Sequence, residues 1–327
     1  MHSRRSIFIG GCGRSGTTML GSALGAAPEA VVTPESQFKL KLIHQKKAAL
    51  LSENSEAIYA QIASDERFQV LWEMTVSPYV TRIEDEKTDT YVRRILFDIV
   101  DQYAQKHNRQ GWEVWIDHSP NNIENVPSLM TAFPDSKFIH LVRDGRAAMA
   151  SVLPLDWGPA DPIQAAYWWM GAVACGLAAE RRYPKQVLFV KYESLTQNPE
   201  AELRRICEFT DLTYTEEMLT ANALRKSRYI EQQHVRVGTT ISPDTNDLWR
   251  RSLSIKEISL FEMVCGSLLE LLDYPLENTD TSGRFSRIDL MFVRLKSAIK
   301  KAKKRRRLRQ RVADSLQHRG VSQHGRQ

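Results

Sequence analysis

The sequence predicts an α/β fold, a three-layer sandwich with a mostly parallel central sheet of the P-loop nucleotide-binding type. Three observations predict it. Four short apolar runs, Ile7–Gly10, Trp112–Asp117, Lys137–Val142 and Gln186–Lys191, are bounded by turn residues and read as strands buried on both faces. Helical stretches separate them, and strand–helix alternation on this scale implies parallel strands joined by crossovers. The first run opens into a glycine-rich turn and then a helix, where backbone amides and the positive end of a helix dipole meet an anion. The chain has 327 residues, 42% apolar, 26% charged and 9% aromatic, so it holds enough large apolar groups to bury a core. The expected organisation is one domain over residues 1–288, followed by a basic, partly helical or disordered tail over 289–327.

Taken in order, Ile7–Gly10 is the first strand, Thr17–Ala26 the helix after the turn, and Ala30–Thr33 a second strand. Residues 36–109 are rich in charge and helical in pattern. Trp112–Asp117 follows, then a helical segment closed by Phe133-Pro134-Asp135, then Lys137–Val142. Asp161–Tyr183 is a long helix, with Tyr167, Trp168 and Trp169 read as its core, and Gln186–Lys191 is the next strand. Asn198-Pro199-Glu200 opens a further helix, with Asn198 as cap, proline at the first helical position and acids in the first turn. Residues 224–250 read as an irregular excursion returning at Trp249, and Ile255–Leu272 has helical periodicity.

Charge and cysteine usage narrow the function classes. The net charge of +6 is misleading, because residues 291–327 carry 13 Lys and Arg against one acid, Asp314. Residues 1–290 keep 32 basic and 38 acidic side chains, so the body is mildly acidic and nucleic acid is not an expected partner. Cys12, Cys175, Cys207 and Cys265 are widely spaced, which fits neither a disulfide framework nor a zinc site and suits a reducing compartment. The run Ile7–Ile9 is too short for a signal-peptide core, and no window holds about 18 uncharged apolar residues. The expected location is cytoplasmic, with peripheral membrane contact as the alternative. The run Lys300–Arg307 is read either as a solvated tail or as a basic amphipathic helix on an anionic membrane surface.

The most informative string is Gly10-Gly11-Cys12-Gly13-Arg14-Ser15-Gly16-Thr17-Thr18. Gly11, Gly13 and Gly16 satisfy G-x-G-x-x-G, with Glu35 about 20 residues on, as a dinucleotide site requires. Gly11, Gly16 and Thr18 also fit G-x-x-x-x-G-K-[ST], except that Thr17 stands where the triphosphate-binding lysine belongs. A third reading joins Arg14 to the two threonines as a loop for a 5′-phosphosulfate. A second signature, Leu141-Val142-Arg143-Asp144-Gly145-Arg146, delivers an arginine at a strand end, and Ser151 follows eight residues later. An arginine and a hydroxyl converging on one spot make a phosphate receptor. The bland alternative is a strand–turn–helix with a surface salt bridge.

Together these strings resemble the sulfotransferases that use 3′-phosphoadenosine 5′-phosphosulfate (PAPS), closest to the bacterial and tyrosylprotein branches. Val190-Lys191-Tyr192-Glu193-Ser194-Leu195 with Asn198-Pro199, and Trp249-Arg250-Arg251, continue the likeness. The resemblance implies that Gly13, Arg14, Ser15, Gly16, Thr17 and Thr18 hold the 5′-phosphosulfate and that Arg143 and Ser151 hold the 3′-phosphate. It places Tyr192 near the adenine, with PAPS as co-substrate and no metal required. It also implies a hydroxyl or amine acceptor on a carbohydrate, small molecule or peptide tyrosine.

Two residues suit the acceptor's proton. Glu35, in Thr33-Pro34-Glu35-Ser36, lies past the second strand, at the sheet end where ligands bind in open α/β folds, and resembles the base of the tyrosylprotein branch. Its alternative is a helix-start acid. His118, in Asp117-His118-Ser119-Pro120, resembles the histidine of the cytosolic branch, where other branches place lysine. Histidine suits a base near neutral pH, and its alternative is a polar strand cap. Asp117 imitates the metal-binding aspartate of a triphosphatase strand, or orients His118 or a loop. Trp157, in a proline-rich loop, is read as a packing plug in preference to an acceptor-stacking surface. The competing functions are a P-loop kinase or NTPase and a non-catalytic nucleotide-binding protein.

Overall fold

The structure, a computed structural model, describes residues 4–44, 55–224, 239–277 and 287–324. Five strands form one parallel sheet in the order β2-β3-β1-β4-β5. They are β1 (Arg5–Gly10), β2 (Ala30–Val32), β3 (Val114–Asp117), β4 (Lys137–Val142) and β5 (Val187–Lys191). β1 sits in the centre, with Ile7 opposite Ile116 on β3 and Ile9 opposite Ile139 on β4.

Burial on both faces explains why these strands read as runs and not as alternating patterns. Phe8, Trp115 and Phe138 point to one face and pack with Phe133. Ile7, Ile9, Ile116, Ile139 and Leu141 point to the other, against Leu20, Leu24, Leu203 and Ile206 of covering helices. The charged region 36–109 supplies the helices Phe38–His44, Ser55–Ser64, Glu66–Trp72 and Thr88–Lys106. Their inward sides meet through Phe38, Phe68, Trp72 and Tyr103, whose rings touch in sequence. Ten residues of this region, 45–54, lie outside the described residues.

Most expected elements are present within a residue or two. The helix after the glycine turn closes at Leu24, and the long helix runs Pro162–Arg182 with Asp161 accepting from the Gln164 N–H, 2.9 Å, as its cap. The helix Pro199–Thr210 begins as expected, but Asn198 makes no side-chain cap. Asn198 also closes the preceding helix Tyr192–Gln197, and its backbone N–H donates to Ser194 O, so its conformation answers to two elements. Of the excursion 224–250, residues 225–238 lie outside the described residues, and the chain returns in the short helix Trp249–Ser252. Tyr167 is 60% exposed, so it is not helix core, whereas Trp169 is buried.

The basic segment belongs to one helix, Arg287–His324. Arg311 grips Asp156 through Nε and Nη2 at 2.7 and 2.9 Å. Among the described residues no helix is long and apolar enough to cross a membrane. All four cysteines are free.

Candidate active site

β1 ends at Gly10, and the chain turns through residues 11–16 into the helix Thr17–Leu24. The Ser15 N–H donates to the Cys12 carbonyl at 3.1 Å, and the Gly11 N–H donates to Pro120 O at 2.9 Å. Gly16 has φ of +97°, the left-handed conformation that favours glycine, and a Cβ there would lie 2.6 Å from the Tyr192 ring. Gly13 is pinned differently, since a Cβ would lie 2.8 Å from Trp168. Arg14 itself is left-handed, with φ of 71°, an uncommon state for a bulky residue that concentrates at functional sites.

The turn opens on a cavity of about 370 Å³ bordered by Gly13, Arg14, Gly16, Thr17 and Thr18. Because β4 lies beside β1, its end brings Arg143 and Ser151 to the same cavity, with Tyr192 from the end of β5. The two expected phosphate sites therefore share one space. Their pairing differs in detail from expectation. Ser151 Oγ accepts from Arg14 Nε at 3.0 Å, while Arg143 donates to the Arg14 carbonyl at 3.1 Å and lies over the Tyr192 ring at 4.5 Å. Ser15 is fully buried behind the turn, does not border the cavity, and its hydroxyl has no partner among the described residues.

The remainder of the second signature is a buried brace, not a surface salt bridge. Asp144 accepts from the Arg146 N–H at 2.9 Å as helix cap and pairs with the Arg146 guanidinium at 2.8 Å. Arg146 reaches Glu262 at 2.6 Å and lies 4.3 Å from the Trp249 ring. Glu193 accepts from the Asp144 N–H at 3.0 Å and from the Tyr274 hydroxyl at 2.8 Å, tying the end of β5 to the turn after β4. These contacts fix the strand end that carries Arg143.

The electrostatics of the cavity call for an anion. Burial, then the neighbouring Arg143, lowers the Arg14 pKa, so two guanidiniums face one small space at mutual cost. Arg143 Nε is buried with no partner among the described residues. Glu35 is the single carboxylate among the described residues that border this cavity. A phosphate-like dianion would satisfy the orphan donor and offset the repulsion.

A second cavity, about 750 Å³, adjoins the first, and Gly13, Thr18, Glu35 and Trp157 border both. His118 borders the second only. Glu35 accepts from the Gln37 amide at 3.1 Å and lies 3.9 Å from Arg67. His118 is 1% exposed, and neither ring nitrogen has a partner among the described residues. Burial lowers its pKa against the opposing pull of Glu35 and Asp117, so the imidazole is neutral at pH 7. Trp157, partly exposed and edge-on to Trp168 at 6.3 Å, is a cavity wall as well as a packing group.

Asp117 proves to orient loops, not the His118 ring. It pairs with the buried Lys39 at 3.2 Å and accepts from Asn122 at 2.7 Å, from the Ser119 N–H at 2.9 Å and from Ser36 Oγ. These donors hold its pKa at about 2 despite complete burial. The segments bearing Glu35 and His118 are thus tied to one carboxylate. Among the described residues no cluster of three or more His, Cys, Asp or Glu is placed to hold a metal. Sequence reasoning missed Lys39, one charge among many in a helical stretch. It also missed Leu308, Val312 and Leu316, which border the second cavity from a segment read as a solvated tail or a membrane-surface helix.

Comparison with known proteins supplies a family and a fold. Residues 6–216 match the model of a family described as the sulfotransferase family. Protein-tyrosine sulfotransferase A of Caenorhabditis elegans is 25% identical over 220 residues, covering 65% of this chain and 51% of that protein. A putative protein-tyrosine sulfotransferase of Caenorhabditis briggsae is 26% identical over 220 residues, covering 65% and 68%. The chain thus spans about half the length of the C. elegans relative. Among solved structures, the sulfotransferase domain of the Synechococcus PCC 7002 olefin synthase aligns at TM-score 0.50 and 21% identity, covering 80% of this chain and 95% of that one. The sulfotransferase domain from the curacin biosynthetic pathway aligns at TM-score 0.51 and 16% identity, covering 84% and 100%. These last two similarities speak to the fold.

Proposed function

The chain belongs to the sulfotransferase family, and from that premise we propose that it transfers a sulfuryl group from PAPS to an acceptor hydroxyl. The observation that carries the reading is the convergence of Arg14, Arg143 and the Gly13–Thr18 turn on one cavity, next to a second that shares Glu35. When bound, PAPS supplies an activated sulfuryl group whose departure leaves charge on a phosphate oxygen. Arg14, the turn amides and the positive end of the helix Thr17–Leu24 stabilise that charge. Arg143 and Ser151 hold the 3′-phosphate, and Tyr192 flanks the nucleoside.

Glu35 stands at the junction and takes the acceptor proton as the new sulfur–oxygen bond forms and the old one breaks. His118, neutral and with both nitrogens orphaned, offers a hydrogen bond to the acceptor oxygen and fixes its approach. Asp117 and Lys39 act through the loops they position. Similarity to relatives named for protein tyrosine supports counting a phenolic hydroxyl among the candidate acceptors.

Adenosine 3′,5′-bisphosphate should raise the melting temperature more than ATP with Mg²⁺. At a hundredfold excess over its dissociation constant, a single-site ligand stabilises by about 2.7 kcal/mol. Greater stabilisation by ATP with Mg²⁺ would favour the kinase reading.

A further inference from the structure

We infer that the face of the basic helix carrying Leu308, Val312 and Leu316 is the acceptor-selecting wall of the second cavity, and that it selects a small hydroxyl compound with an apolar body. This rests on the transfer reading above for the word acceptor, and on the helix contacts alone for the wall. Leu308, Val312 and Leu316 recur every four residues, so they share one side of the helix, and all three border the cavity. Leu71, Trp157 and Trp168 line it from the body, so apolar groups face one another across a slot that Glu35 and His118 also border. Its volume of about 750 Å³ falls within the roughly 300–1,000 Å³ of small-molecule sites.

The wall is fastened. Lys304 is the one buried member of the run 300–307, and its ammonium donates to Pro159 O at 2.7 Å and to Val152 O and Trp157 O at 3.5 Å. About two turns further on, Arg311 grips Asp156 with two nitrogens. Both anchors lie on the segment 152–159 that carries Trp157, so the helix and the tryptophan form one wall.

The test uses the full chain, with 2-naphthol as probe, titrated calorimetrically in the presence of adenosine 3′,5′-bisphosphate. Val312→Trp fills the slot and should weaken 2-naphthol binding at least tenfold; Leu316→Ala, a milder change, should weaken it about threefold. Arg306→Ala, on the exposed side, should leave it unchanged. Each variant should keep the melting shift given by adenosine 3′,5′-bisphosphate, which shows that it folds and retains the donor site. Wild-type binding of 2-naphthol by both Val312→Trp and Leu316→Ala would overturn the inference, as would no binding by the wild type. A tyrosine-containing decapeptide that binds more tightly than 2-naphthol would overturn the choice of a small acceptor. If discrimination persists but the nucleotide shift is missing in the wild type, the transfer reading fails and the wall stands.

Discussion

Arg14 and Arg143 border the same cavity from two neighbouring strand ends, yet their surroundings give them different duties. Arg14 sits in the strained turn, whereas Arg143 lies over Tyr192; under the proposed transfer the first meets the charge on the leaving oxygen and the second the nucleotide. Arg14→Ala should therefore lower kcat by about 10²–10³ with little change in affinity for adenosine 3′,5′-bisphosphate. Arg143→Ala should weaken that affinity by about 1.5–3 kcal/mol, roughly 10- to 100-fold, with a smaller effect on kcat. Steady-state kinetics and calorimetric titration separate the two, and the reverse pattern would exchange the roles. Both residues were legible in the sequence because each stands within a few positions of a strand end and a glycine turn. The bond from Arg14 to Ser151 spans 137 positions and has no local signature, so the sequence suggested Arg143 as the hydroxyl's neighbour.

At the level of elements, the positions of Glu35 and His118 depend on the brace at the end of β3. Asp117 engages Ser36, Lys39, Ser119 and Asn122, so one carboxylate ties the segment after β2 to the one after β3. Asp117→Asn leaves the Lys39 ammonium, 0% exposed, without its counter-charge, and should cost about 3–5 kcal/mol in denaturant unfolding. Lys39→Met removes the uncompensated cation as well, so the double variant should recover part of that loss. Non-additivity in the cycle would confirm the pair, and strict additivity would deny it. Strand runs and the glycine turn were readable because burial on both faces writes itself into local composition. The brace was not, since Lys39 and Asp117 are 78 positions apart and only the sheet order β2-β3-β1 brings them together.

The whole molecule should show the Asp117 brace in its acid response. The folded-state value of about 2 lies below the ordinary aspartate value of about 3.9, so the unfolded chain binds the proton first as pH falls. That contribution to stability is complete above about pH 4 and is lost as pH falls toward 2. Urea midpoints across this window should decline less steeply in Asp117→Asn, measured from its own lower starting point. The basic helix belongs to this scale as well. Its charge run was plain in the sequence, but its placement was not. Lys304 and Arg311 find their partners about 150 positions away, on a loop whose prolines and tryptophan announce nothing about a distant helix.

Trp157 forms part of the boundary of both cavities while its loop anchors the helix through Asp156. A wall shared by two rooms gives their occupants a common surface. Under the proposed transfer, any factor by which adenosine 3′,5′-bisphosphate tightens or loosens an alcohol in the larger space must be returned, unchanged, by the alcohol on the nucleotide. Reciprocal calorimetry on the ternary complex should give the same factor in both directions, and Arg311→Ala, by unfastening the partition, should bring that factor toward one.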